Sequence, residues 1–109
     1  MTPDETVYQT LCESGLPGTK AGWPLGGAPP LPWFTYKRVK GGEFIADSRN
    51  YAHMMRYQVD LYQADLDDEV RDAFEELVGR LGPYRSDETW INHENCWLTS
   101  YTFTYHPET

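Results

Sequence analysis

Positive charge is scarce in this chain. Nine Lys and Arg stand against 17 Asp and Glu, a formal net charge of −8. Phosphate binding wants a basic face, so this balance argues against nucleic acid as the main partner. Sulfur is scarce too: Cys12 and Cys96 are too few for a disulfide framework. Long hydrophobic runs are missing. The uncharged stretch 21–36 is broken by Pro24, Pro29, Pro30 and Pro32, so no membrane span is expected. Met1-Thr-Pro-Asp-Glu has neither a basic region nor an apolar core, so no signal peptide is expected and the thiols should stay reduced in a cytoplasm.

Recognisable catalytic chemistry is also lacking. His93 and Cys96 have a spacing that could supply half a zinc site, but Cys12, His53 and His106 are scattered and offer no second half. A Cys–His nucleophilic pair would need a third orienting group and an oxyanion hole, and nothing marks either. Gly26-Gly27 runs into prolines and not into a helix, so it is no phosphate loop. Asp65, Asp67, Asp68 and Glu69 stand at a helix start, where capping accounts for them. No metal, cofactor or enzymatic activity is expected.

What is present centres on residues 56–82. Tyr57, Val59 and Leu61 alternate with Arg56, Gln58 and Asp60, a strand with one buried face. Val70, Ala73, Phe74, Leu77, Val78 and Leu81 then recur at steps of three and four, which makes one apolar stripe of a helix. Asp67 is the expected N-cap, and Gly82-Pro83 the stop.

Before this stretch, Thr2-Pro3-Asp4-Glu5 is a capping-box pattern opening a short helix with Val7, Tyr8, Leu11 and Cys12 on its apolar side. Residues 15–32, rich in Gly and Pro, should form a long loop. Pro29-Pro30-Leu31-Pro32 within it is either a stiff lead-in to a strand or a polyproline ligand. Trp33 to Val39 reads as a strand, Gly41-Gly42 as a hairpin turn, and Glu43 to Asp47 as the returning strand. Ser48-Arg49-Asn50 should turn, and Tyr51 to Gln63 should contain the long third strand. Beyond the second helix, Tyr84 to Ile91 is extended, Asn92 to Asn95 turns, and Cys96 to Tyr105 is a last strand. On that strand Trp97, Thr99, Tyr101, Phe103 and Tyr105 share one face. The sum is a single α+β domain over residues 1–109, a mostly antiparallel sheet with two helices packed on one face, in helix-loop-hairpin-strand-helix-strand order.

Charge and aromatics suggest where the chain meets partners. Between Asp65 and Glu76 seven acids face one Arg, which leaves Asp68, Asp72, Glu75 and Glu76 on the wet side of the helix. Lys37, Arg38 and Lys40 gather at the expected hairpin tip, the one basic cluster in the chain. An acidic helix face and a basic tip are candidate sides of a subunit or partner interface, and charge protection of an edge hairpin accounts for the tip equally well. Four Trp, eight Tyr and four Phe either fill a small core with rings or reach a partner.

Gly15-Leu16-Pro17 after a short helix, Pro30-Leu31-Pro32-Trp33-Phe34 entering a strand, and Tyr57-Gln58-Val59-Asp60-Leu61-Tyr62 before an acidic helix resemble the small neck proteins of long-tailed bacteriophages. The tail terminator (tail completion) and minor capsid group is the nearest in pattern, over roughly residues 5–105. Ala64-Asp65 stands where such proteins often carry basic residues. The resemblance implies a structural virion protein: a ring, commonly a hexamer, that caps the tail tube protein's polymer and meets the head-closure or connector protein. DNA would only pass through its lumen, and an acidic lumen would not hold it. A head–tail adaptor or head-closure role, and a small cytoplasmic regulator, are the alternatives.

Overall fold

A computed structural model describes residues 2–24, 26–39 and 55–105. Two helices and five strands follow one another as α1 (Pro3–Cys12), β1 (Gly18–Lys20), β2 (Trp33–Val39), β3 (Met55–Gln63), α2 (Asp68–Leu81), β4 (Tyr84–Ile91) and β5 (Cys96–Tyr105). A single 3₁₀ turn, Asn92–Glu94, joins the last two strands. The strands form one sheet in the order β1-β2-β3-β5-β4, antiparallel at every junction except β1–β2.

Both helices begin where their capping residues dictate. Thr2 Oγ1 accepts from the Glu5 amide at 3.1 Å while Glu5 Oε1 accepts from the Thr2 amide at 2.8 Å, a complete capping box. Asp67 Oδ1 accepts from the amides of Glu69 and Val70 at 3.0 and 3.2 Å, satisfying two donors that the first turn of α2 leaves open. The apolar stripe of α2 is narrower than the spacing suggests. Phe74, Leu77, Val78 and Leu81 are buried, Val70 is half-buried, and Ala73 faces water.

The register lines up side chains in cross-strand rows. On one face the rows are Phe34–Leu61–Thr99, Tyr36–Val59–Tyr101 and Arg38–Tyr57–Phe103. Val7 and Leu11 of α1 and the four buried residues of α2 pack into the same cluster as these side chains, so both helices cover this face. Fully burying a side chain such as Phe34, Leu61 or Phe74 stabilises the fold by about 1.5–3 kcal/mol. Rings supply much of the volume: Tyr57, Tyr101, Phe34 and Phe74 are all completely buried.

Two expectations change. The stretch 15–32 is not wholly loop, because Gly18–Lys20 pairs in parallel with Phe34–Tyr36. Such a short strand has no alternating pattern to betray it, and Gly18 is chosen for space, since Phe34 passes directly over it. The turn at Gly41-Gly42, the return strand at 43–47 and the turn at 48–50 lie outside the described residues. What pairs antiparallel with β2, residue for residue, is β3.

Candidate functional site

Of the seven charged residues singled out above, the six that the structure describes lie in different settings. Strand alternation sends Lys37 and Arg38 to opposite faces of the sheet. Arg38, on the helix side, donates to Asp4 Oδ1 at 2.9 Å and lies 5.9 Å from the centre of the Tyr57 ring. Lys37 is exposed on the other face, and Lys40 lies outside the described residues. On α2, Asp68 accepts from Arg71 at 2.7 Å, and the same guanidinium reaches Glu88 of β4 at 2.7 Å. Glu75 accepts from the Tyr101 hydroxyl at 3.0 Å. Burial, followed by the Glu75 charge, raises that phenol above the usual tyrosine range. Asp72 and Glu76 are exposed and join no ion pair among the described residues. Lys37, Asp72 and Glu76 are therefore the candidates left with their charges unspent.

His93 is exposed on the 3₁₀ turn, whereas Cys96 is buried, and its thiol is raised by that burial and by Glu94. Cys12 is half-buried against the core. Among the described residues no three His, Cys, Asp or Glu gather as a metal site. None of the described helices is long and apolar enough to cross a membrane.

The second face of the sheet carries a feature that spacing alone does not show. Neither described helix covers it, and its rows are chemically sorted: Trp33–Tyr62–Leu98–Thr89, then Thr35–Asp60–Ser100–Asp87, then Lys37–Gln58–Thr102–Arg85. One row is mainly apolar, one acidic, one basic at both ends. Residues 21–24, 26 and 28 stand against the β2–β3 end of these rows and leave a hollow of about 580 Å³ between loop and sheet. Trp23 from the loop meets Trp33 edge-on with centroids 5.7 Å apart, and Trp33 lies over Tyr62 at 4.4 Å. Asp60, Glu94, Gln58 and Lys37 supply its polar lining.

The carboxylate of Asp60 is held in place by neutral groups. Ser100 Oγ donates to it at 2.7 Å, and Gln58 Nε2 lies 3.2 and 3.3 Å from its two oxygens. Tyr62 is pushed up to about 12 by burial first and then by the charges of Asp60, Glu94 and Cys96, so its hydroxyl stays protonated. The loop wall holds two costly features. Ala21 takes a left-handed φ of 69°, which costs an L-residue about 1–2 kcal/mol. The indole nitrogen of Trp23 is buried without an acceptor among the described residues. A second hollow, of about 670 Å³, lies where β4 begins and is lined by Arg56, Arg85, Thr102 and Thr104 among others.

Sequence reasoning named none of these lining residues as a group except Lys37, because they come from a loop, two strands and a turn far apart in the chain. The one available signal was Trp23 beside prolines in an uncharged loop. No protein-family model matches the chain, and no curated protein sequence matches it either.

Proposed function

We propose that this chain is a structural subunit of a long-tailed phage neck, which caps the tail tube as a ring and joins it to the head connector. A ring of identical copies needs two different surfaces on each copy. The observation that carries this reading is the outer flank of β4. Every residue from Tyr84 to Trp90 is exposed, and no strand pairs with that flank among the described residues. An open edge of eight residues offers a row of backbone donors and acceptors to a neighbouring chain. Trp90, 40% exposed beside Trp97, adds a large ring of the kind enriched at interfaces. Asp72 and Glu76 on α2 and Lys37 on β2, which join no ion pair among the described residues, provide separate, oppositely charged contacts for copies or partners.

Imaging lysates by electron microscopy after deletion of the gene from its phage tests the assignment. Overlong or unjoined tails beside DNA-filled heads are the expected outcome. Tails of normal length that fail to join would move the role to head closure. Normal, joined virions would overturn both and favour a regulatory protein.

A further inference from the structure

We propose that the hollow between Trp23, Trp33, Tyr62 and Asp60 binds the cationic side chain, lysine or arginine, of a partner protein. This does not rest on the neck assignment.

The hollow joins the two chemistries that an organic cation needs. Trp23, Trp33 and Tyr62 present ring faces and edges within one another's reach, and a cation over such a face gains about 0.5–2 kcal/mol. Asp60 and Glu94 add negative charge to the same lining. Among the described residues, the hydrogen bonds that Asp60 accepts come from the neutral donors Ser100 and Gln58, which position its charge without neutralising it. In the same cross-strand row, Asp87 adds a further carboxylate beside Ser100. The negative field is felt within the site, since Asp60 and Glu94 both help to hold the Tyr62 hydroxyl protonated.

One cation already lines the hollow. Lys37 stands in the adjacent row, but it is exposed and makes no ion pair with Asp60 or Glu94 among the described residues. A single lysine against two carboxylates leaves the lining net negative. The size also fits a side chain and not a bare ion. At about 580 Å³ the space takes the aliphatic stem of Lys or Arg against the rings while the head group reaches the carboxylates. The positive φ of Ala21 and the unmatched indole N–H of Trp23 are the kind of local cost that persists at binding sites.

Titration of the isotope-labelled protein with blocked tripeptides Gly-Arg-Gly, Gly-Lys-Gly, Gly-Glu-Gly and Gly-Gly-Gly, followed by NMR of the indole N–H signals, tests the proposal. Arg or Lys peptides should shift the Trp23 and Trp33 signals saturably, and the other two should not. Asp60→Asn should weaken binding about tenfold, and Glu94→Gln, on an exposed turn, about threefold. Lys37→Gln should tighten it, because a like charge is removed. No saturable shift at about 20 mM peptide would overturn the site. So would binding of the Glu peptide that Lys37→Gln abolishes, or affinity unchanged by both Asp60→Asn and Glu94→Gln. Tetramethylammonium binding as tightly as the Arg peptide would overturn the assignment to a side chain.

Discussion

The Tyr57 hydroxyl, at the centre of the sheet, donates to the Asp4 carboxylate in the first turn of α1. The same carboxylate accepts from Lys20 Nζ of β1 at 2.6 Å and from Arg38 of β2 at 2.9 Å. One side chain thus ties a helix to three strands. Burial raises the Asp4 pKa, but the bonds from Lys20, Tyr57 and Arg38 outweigh it and hold the group at about 2.

An aspartate in the unfolded chain titrates near about 3.9. Folding therefore favours the ionised form of Asp4, and the stabilisation is complete above about pH 4 and lost as pH falls towards 2. Asp4→Asn should lower stability at pH 7 by about 1–3 kcal/mol and flatten the loss between pH 4 and 2. Denaturant unfolding of both proteins across that range measures it. An unchanged acid limb in the variant would show that Asp4 does not carry the linkage.

Arg38 and Lys37 should respond differently to charge reversal. Arg38→Glu sets a carboxylate beside Asp4 and should cost on the order of 1 kcal/mol, discounted for the exposure of the pair. Lys37→Glu should leave stability within about 0.5 kcal/mol. Thermal melts decide this. Any assembly defect in Lys37→Glu then reports a partner contact and not a folding defect.

Gly18 and Gly22 are separated by their surroundings. A Cβ on Gly18 would sit 2.1 Å from Cζ of the buried Phe34, whereas one on Gly22 meets nothing within 4 Å. Gly18→Ala should destabilise by about 1–3 kcal/mol, or more if β1 detaches. Gly22→Ala should be near neutral. Equal melting temperatures would mean that β1 does not hold its place over Phe34.

On α2, Phe74→Ala should cost about 3–5 kcal/mol, because the ring is fully buried between Phe34 and Tyr101. Ala73→Gln, one residue earlier and exposed, should change stability by less than about 0.5 kcal/mol. Urea midpoints of the two variants separate core from surface on this helix.

Where local chemistry decides, the chain was readable. The bounds of β5 follow from two-residue alternation, those of β2 and β4 from the turn residues that flank them, and both helix starts from Thr2 and Asp67. Ala73 was misplaced because a three-four spacing does not say how wide the buried stripe is. β1 was missed because three edge residues need only backbone bonds, which any sequence supplies. Asp4 looked like a first-turn acid in a capping box, and its bonds to residues 20, 38 and 57 exist only once the strands are assembled. The hollow is hidden for the same reason. Trp23, Asp60 and Glu94 share no local pattern, and only the register brings them to one wall.

The strand order also sets a schedule for synthesis. β5 lies between β3 and β4, so β4, although made earlier, joins the sheet only through the last described strand. Until Cys96–Tyr105 has left the ribosome, β3 has one bare flank and β4 has no neighbour at all. The apolar face of α2 must meanwhile wait over half a sheet. The growing chain therefore passes through a stage with unpaired strand edges and a core that lacks Tyr101 and Phe103, which the ten residues of β5 then complete.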